Sequence, residues 1–498
     1  MTKQTIALLT TAALCGALIG CGKFLDRKPM GVESSATFFS TENQALEATT
    51  AAYDVLGWRY SQEIYEWTLG DVCSDDAEKG GENAADMAVM QQVKEFRAGA
   101  GNQISYYRWS ELYQGVYRAN LVIHKVPTIS MDAAVRDRLV AEAKFLRGWY
   151  YFQLVKTFGA VPLITTLLAP DEYCQPKATM EQCWSQIEKD LGEAAAILPE
   201  KSVYPASDIG RATRGAANAL LAKAFIFQGK WGKALSSAAA VIDSREYDLE
   251  PVYADIFKLS HENGKESVFE IQHLYVPTTA YGDLNEGQET SIYQGSRKST
   301  GFTGWGFDCP TQDFVDEFKK FGDDNDPRLK ATVVFNGEII WENTPWQQKA
   351  DNAMSPTKMG ARKYMLEFQS VAPDISNSPS NWRAIRFADV LLFHAEAANE
   401  LGDAQAALGS LNRVRTRVSM PARTTTDKDS LRQLIWHERR VELGMEGHRF
   451  FDVVRQGRAA EVLGKNGFIK GQHEYFPIPQ LELQVCDKLT QNDYFGKK

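Results

Sequence analysis

The sequence predicts a mostly α-helical protein in which repeated helical hairpins form a scaffold and a loop-rich, partly β insertion is carried on it. Three observations predict this. Between Arg211 and Asp243, Leu221, Ala222 and Phe225 precede a break at Gly229, and Ala234, Leu235 and Val241 follow it. That is the spacing of two antiparallel amphipathic helices, with small Ala222 and Ala234 where they approach. The same offsets recur around Gly402, with Ala395, Ala398, Ala407, Leu408, Leu411 and Val414. From Tyr247 to Ser380 the helical period gives way to glycine-punctuated polar sequence with short alternating runs such as Ser267 to Gln272. A single hairpin cannot bury its own apolar face, so neighbouring hairpins must stack on it.

The hairpin offsets resemble those of tetratricopeptide repeats, which makes the scaffold a tetratricopeptide-type one. Further helices are expected at Thr41 to Trp58, Trp109 to Val126, Ala133 to Phe158, Thr179 to Leu198, Arg386 to Glu400, Ala404 to Arg417 and Ser430 to Met445. Gly159 with Pro162, and Pro199, supply stops. Residues 59–103 hold too many turn formers for one long helix. Strands are expected at Ser267 onward, Ala331 to Phe335 and Tyr364 to Phe368. The extended tail is expected to pack back through Tyr475, Phe476 and Ile478.

A chain of 498 residues allows two or three domains or one large one with insertions. A formal charge of −9 with no basic run beyond Arg413, Arg415 and Arg417 excludes a nucleic-acid partner from the expectations, because phosphate binding needs clustered cations. At the N-terminus, Lys3 precedes a nearly uncharged stretch from Thr5 to Gly20, short of the ~20 residues of a membrane helix. It ends in Leu18-Ile19-Gly20-Cys21, which resembles a bacterial lipoprotein signal in which Cys21 is acylated and becomes the mature N-terminus. A plain secretory peptide with an incidental cysteine is the alternative. The division that follows is 1–20 signal, 21–40 lipidated tether, 41–246 N-terminal helical part, 247–380 irregular ligand-binding part and 381–498 C-terminal helical part. The five remaining cysteines lack zinc-ligand spacing. They are expected to be isolated packed thiols, with a Cys174–Cys183 pairing left open.

Five segments then identify a resemblance. Glu142-Ala143-Lys144-Phe145-Leu146-Arg147 through Tyr150-Tyr151-Phe152 and Phe158-Gly159-Ala160-Val161-Pro162-Leu163 is the first. The others are Phe24-Leu25-Asp26 with Pro29; Arg386 to Leu392 with Ala395-Glu396-Ala397; Glu438-Arg439-Arg440 with Glu442-Leu443, Glu446-Gly447 and Arg449 to Asp452; and Phe476-Pro477-Ile478-Pro479 with Gln491-Asn492. Together they resemble the SusD/RagB nutrient-binding lipoproteins. The resemblance implies a lipid-anchored protein on the outer face of an outer membrane, an oligosaccharide or in some members a peptide ligand, and a SusC-like TonB-dependent transporter as partner. It does not reach the loops at about 63–103 and 281–345.

Aromatics supply what a sugar site needs, since a pyranose presents an apolar C–H face to an indole or phenol ring. Of 11 tryptophans and 19 tyrosines, Trp58, Trp67, Tyr281, Tyr293, Trp305, Trp341 and Trp346 stand in loop-like context. Trp305 between Gly304 and Gly306 is the first choice, because the glycines let backbone approach a ligand. Trp109, Trp149, Trp184, Trp231, Trp382 and Trp436 fall on helical stripes and are assigned to the core. Asp75 and Asp76 are candidate hydrogen-bonding partners of a ligand, or the acids of a glycoside hydrolase, which is the enzyme alternative. A peptide-binding helical scaffold is the other. No metal or cofactor is expected: there is no HExxH, and Asp323-Asp324-Asn325-Asp326 runs into Pro327 where a calcium loop needs glycine. No GxSxG, Walker A or GxGxxG motif occurs. The charged run from Glu438 to Asp452 is read as a structural polar network.

Overall fold

The computed structural model describes residues 38–58, 64–275, 286–295, 297, 304–341, 344–345, 357–365 and 377–493. Its longer helices are α1 (Glu42–Asp54), α2 (Gln103–Lys125), α3 (Ala133–Phe158), α4 (Met180–Ile197), α5 (Arg214–Phe227), α6 (Trp231–Ser244), α7 (Phe387–Glu400), α8 (Ala404–Arg417) and α9 (Lys428–Leu443). Their starts are written in side chains. Thr41 and Thr179 close capping boxes with Gln44 and Gln182, and Asn102, Asp132, Thr213, Asp403 and Asp427 each accept from a first-turn amide. Gly159, at φ +76°, stops α3. Among the described residues no helix is long and apolar enough to cross a membrane.

From α2 to α8 each helix packs against the next, so the array is a stack of antiparallel hairpins. Ala222 and Ala234 are fully buried at the α5–α6 approach, and Gly229, at φ +65°, makes the turn. The stack continues from α6 to α7 although residues 245–386 lie between them in sequence. That excursion leaves and rejoins the scaffold at one place. The described residues hold the short strands β1 (Ala77–Gly80), β2 (Ser267–Ile271), β3 (Phe307–Pro310), β4 (Val333–Phe335), β5 (Ile339–Trp341), β6 (Thr344–Pro345), β7 (Met359–Ala361) and β8 (Trp382–Arg386). Strand β2 pairs antiparallel with β8, which feeds directly into α7. Phe269 of β2 sits against Phe145 and Trp149 of α3, with ring centroids at 4.9 and 5.4 Å. The ladder β1–β3 joins the irregular segment after residue 63 to the insertion; β4 pairs with β7 and β5 with β6.

Several expectations change. Residues 331–332 close a short helix before β4, and Tyr364 lies beyond β7 rather than in a strand, while 366–368 lie outside the described residues. Trp382 belongs to β8, where it stacks on Tyr364 at 4.5 Å. Cys174 is disulfide-bonded to Cys486, not to Cys183, which is a buried thiol, as are Cys73 and Cys309. The pairing spans 312 residues of sequence and ties the tail to the scaffold, a proximity no local spacing encodes. In that tail Phe476 and Ile478 are buried, whereas Tyr475 is 39% exposed.

The charged run near the C-terminus is a buried network joining the insertion to the scaffold. Glu442 accepts from Arg417 Nη2 at 2.7 Å on both oxygens, Arg386 Nη1 at 2.9 Å and Arg328 Nη1 at 3.0 Å. Arg328 is also held by Asp326 and Glu438, and Arg386 by Glu446 and Glu266. Asp323 receives Arg415, Arg423 and His437. Asp323 and Asp326 of the acidic turn are thus engaged within the network, while Asp324 between them is exposed. Burial alone would raise the Glu442 pKa, but Arg417, Arg386 and Arg328 hold it well below the carboxylate range.

Candidate functional site

The loop aromatics form a short file running outward from the core. Trp67, on the short helix Ile64–Trp67, is fully buried. Its ring lies 5.8 Å from that of Tyr293, which is 3% exposed, and Tyr293 meets Trp305 edge-on at 4.6 Å. Phe307 of β3 packs on Tyr293 at 5.8 Å. Trp305 is the outermost member and only partly buried. The structure therefore gathers three of the predicted aromatics and ranks them: Trp67 and Tyr293 support, and Trp305 reaches the surface. Trp67 and Tyr293 are both buried in this arrangement, which corrects their reading as contact residues.

The glycines beside Trp305 serve a purpose other than the expected one. A Cβ on Gly304 would lie 2.4 Å from the Gly295 backbone. Gly306, at φ +69°, accepts the Gly81 amide at 2.8 Å. The close approach is chain to chain, and it pins the indole rather than making room for a ligand. Arg297 donates from Nε to the Trp305 carbonyl at 3.1 Å and pairs through Nη2 with Asp86 at 2.7 Å. Sequence reading missed this clamp, because nothing local links Arg297 to Asp86. Its carboxylates, Asp86 and Glu82, form an acidic rim on Arg297.

Asp75 and Asp76 do not extend this rim. Asp75 accepts from Arg449 Nε at 2.8 Å and Nη2 at 3.0 Å and lies 2.9 Å from Arg440; Asp76 accepts from Arg440 Nε at 2.7 Å. Burial works against the Asp75 carboxylate, yet Arg440 and Arg449 outweigh it and lower its pKa. Asp76 is fully buried, and burial, with the nearby Asp75 charge, pushes it up to about 6. Their carboxylates fasten the N-terminal segment to α9 and the turn after it, and both oxygens of Asp75 are taken up by arginines. Trp341 lies on β5; Tyr281, Trp346 and Cys21 lie outside the described residues. Trp58, also partly buried, donates to Asp54 and carries Arg118 over its ring at 4.8 Å, apart from the file.

A family model described as "SusD family" matches residues 265–495, and one described as "Starch-binding associating with outer membrane" matches 23–226. A solved laminarin-binding SusD-like protein shares 31% identity over 91% of this chain and 99% of its own, with a TM-score of 0.81. The chain belongs to the SusD family. A SusD-like protein of Bacteroides ovatus is 28% identical over 91% of this chain and 82% of its own, and one from Formosa agariphila 25% over 95% of each. A SusD-like carbohydrate-binding protein of Bacteroides fragilis is 26% identical, covering 91% and 100%, with a TM-score of 0.79.

In this SusD-family protein the recognisable motifs build the frame. Arg147 is bidentate on Asp190 and reaches Asn120; Glu142 binds Arg211. Asn492 donates to the carbonyls of Phe158 and Phe476, and Gln491 exchanges two hydrogen bonds with the Ile478 backbone. Two motifs separated by most of the chain thus hold each other.

Proposed function

We propose that this protein is a cell-surface glycan-binding lipoprotein, anchored in the outer membrane through acylated Cys21, which captures oligosaccharides and passes them to a SusC-like TonB-dependent transporter without chemical change. The observation that carries the reading is the Trp305 file: a partly buried tryptophan at its outer end, with Tyr293 behind it and Arg297 on its carbonyl, in a fold whose 31%-identical relative is a laminarin-binding protein. A rigid aromatic face pre-organised before the ligand arrives loses little entropy on binding. The supporting family description associates such proteins with the outer membrane.

The test is titration calorimetry of the purified chain, from Gly22 onward, against laminari-, malto- and xylo-oligosaccharides, with reducing-end release followed in parallel. Binding of at least one series without release supports capture. Turnover would make the protein a hydrolase instead, and failure of every glycan alongside peptide binding would make it a peptide receptor. Co-purification of a TonB-dependent barrel with the full-length protein tests the transporter partnership.

A further inference from the structure

Away from the Trp305 file, a cavity of about 240 Å³ opens between α9, the segment around residues 313–321 and residues 458–465. We propose that it binds one anionic sugar unit, a ring carrying a carboxylate or a sulfate. The choice of a sugar rests on the carbohydrate-binding reading above; the choice of charge rests on the cavity. Its volume falls below the range of clefts that enclose larger ligands, so it suits a single ring.

Its lining carries five cations, Lys320, Arg440, Arg449, Arg458 and Lys465, and three carboxylates. Its carboxylates, Asp75, Asp313 and Glu317, are all engaged by Arg440, with Asp76 behind it. Lys320 pairs with Glu317. Arg458 and Lys465 have no ion-pair partner within the lining, and Arg449 is only partly used. Arg449 spends Nε and Nη2 on Asp75, and its Nη1 makes no hydrogen bond among the described residues. The nearest carboxylate to Arg458 is Glu461 at 3.7 Å, itself exposed, and exposed Lys465 makes no ion pair among the described residues. A guanidinium with an unused edge and an ammonium lining the same cavity suit a carboxylate or sulfate.

Aromatic walls supply the ring contact. Phe321 is 50% exposed and sits at φ +56°, a left-handed backbone that is steric strain for phenylalanine. Arg423 holds it there by donating to its carbonyl at 2.9 Å, and its ring meets His437 edge-on at 5.0 Å. Strain kept in place by surrounding contacts is characteristic of binding sites. Trp436, also in the lining, is partly exposed rather than core, fixed by Nε1 on Glu396 at 3.1 Å, with Arg458 over its ring at 5.4 Å.

The experiment titrates wild type, Lys465→Gln, Phe321→Ala and Trp305→Ala with glucuronate, glucose 6-sulfate, glucose and sodium sulfate, checking each variant by circular dichroism. Glucuronate or glucose 6-sulfate should bind at least tenfold tighter than glucose, and whichever is tighter names the anion. Lys465→Gln and Phe321→Ala should each weaken that binding at least threefold, and Trp305→Ala should leave it unchanged. Equal affinity for glucose, inorganic sulfate binding as tightly as either sugar, or indifference to both Lys465→Gln and Phe321→Ala would overturn the proposal. If neutral oligosaccharides bind through Trp305 while the acidic sugars do not bind, this inference fails and capture stands. If only the acidic sugars bind, sensitive to Lys465→Gln, the Trp305 reading fails instead.

Discussion

Replacing Glu442 with glutamine removes the negative centre shared by Arg417, Arg386 and Arg328 while keeping the side-chain volume. The three guanidiniums do not become orphans: Arg417 keeps Glu266 at 3.2 Å, Arg386 keeps Glu446 and Glu266, and Arg328 keeps Asp326 and Glu438. What the variant gains is one uncompensated positive charge in a site where every participant is at most 3% exposed at the side chain. Breaking a buried pair in this way costs about 3–5 kcal/mol. At this chain length each kcal/mol moves the melting temperature by roughly 1–2 °C, so Glu442→Gln should melt about 3–10 °C below wild type at pH 7. The arginines depress the folded carboxyl below its unfolded value of about 4.3. Its contribution is therefore complete above that pH and lost as pH falls through the lower folded value. Protonated glutamate resembles glutamine, so the gap between the two proteins should narrow below about pH 4. Thermal melts by circular dichroism from pH 7 to pH 3 read both effects. Equal melting temperatures at pH 7, or a gap that widens in acid, would refute the network's assigned role.

Two further outcomes are expected. Ala222→Leu or Ala234→Leu should overpack the α5–α6 approach, where both methyls are fully buried, and cost about 1–3 kcal/mol in denaturant unfolding; unchanged midpoints would show that the hairpin register is wrong. Cys21→Ala should abolish fatty-acid labelling and release the protein from the membrane fraction with its helical content intact, since stable anchoring takes more than one acyl chain; continued surface labelling of the variant would contradict the anchor.

The scaffold is legible in the sequence because helical period, capping residues and small-residue contacts are local signals. Thr41 with Gln44, Thr179 with Gln182 and the Gly229 turn can each be read within a few residues. The motif residues are legible as a group, but what each one holds is not. Asn492 binding Phe158, and Arg440 binding Asp75 and Asp76, are contacts across most of the chain. For the same reason Asp75 and Asp76, which stand among turn formers, read as ligand contacts or hydrolase acids and are instead buried clamps. The Cys174–Cys486 bond is invisible for want of any local spacing. Trp436 misleads in the opposite direction, because a helical stripe fixes which face a residue shares and not whether a neighbour covers it.

The central claim, capture of glycans on the Trp305 indole, is tested most directly by the dissociation constant of an oligosaccharide for wild type and for Trp305→Ala. An aromatic contact is worth about 0.5–1.5 kcal/mol beyond the area it buries, and the lost burial adds to it. Trp305→Ala should weaken binding of the best oligosaccharide by about tenfold or more, each decade being about 1.4 kcal/mol. The melting temperature should stay close to that of wild type, because Trp305 lies at the outer end of its file while Tyr293 and Trp67 remain packed behind it. An unchanged dissociation constant in a folded Trp305→Ala protein would contradict the account.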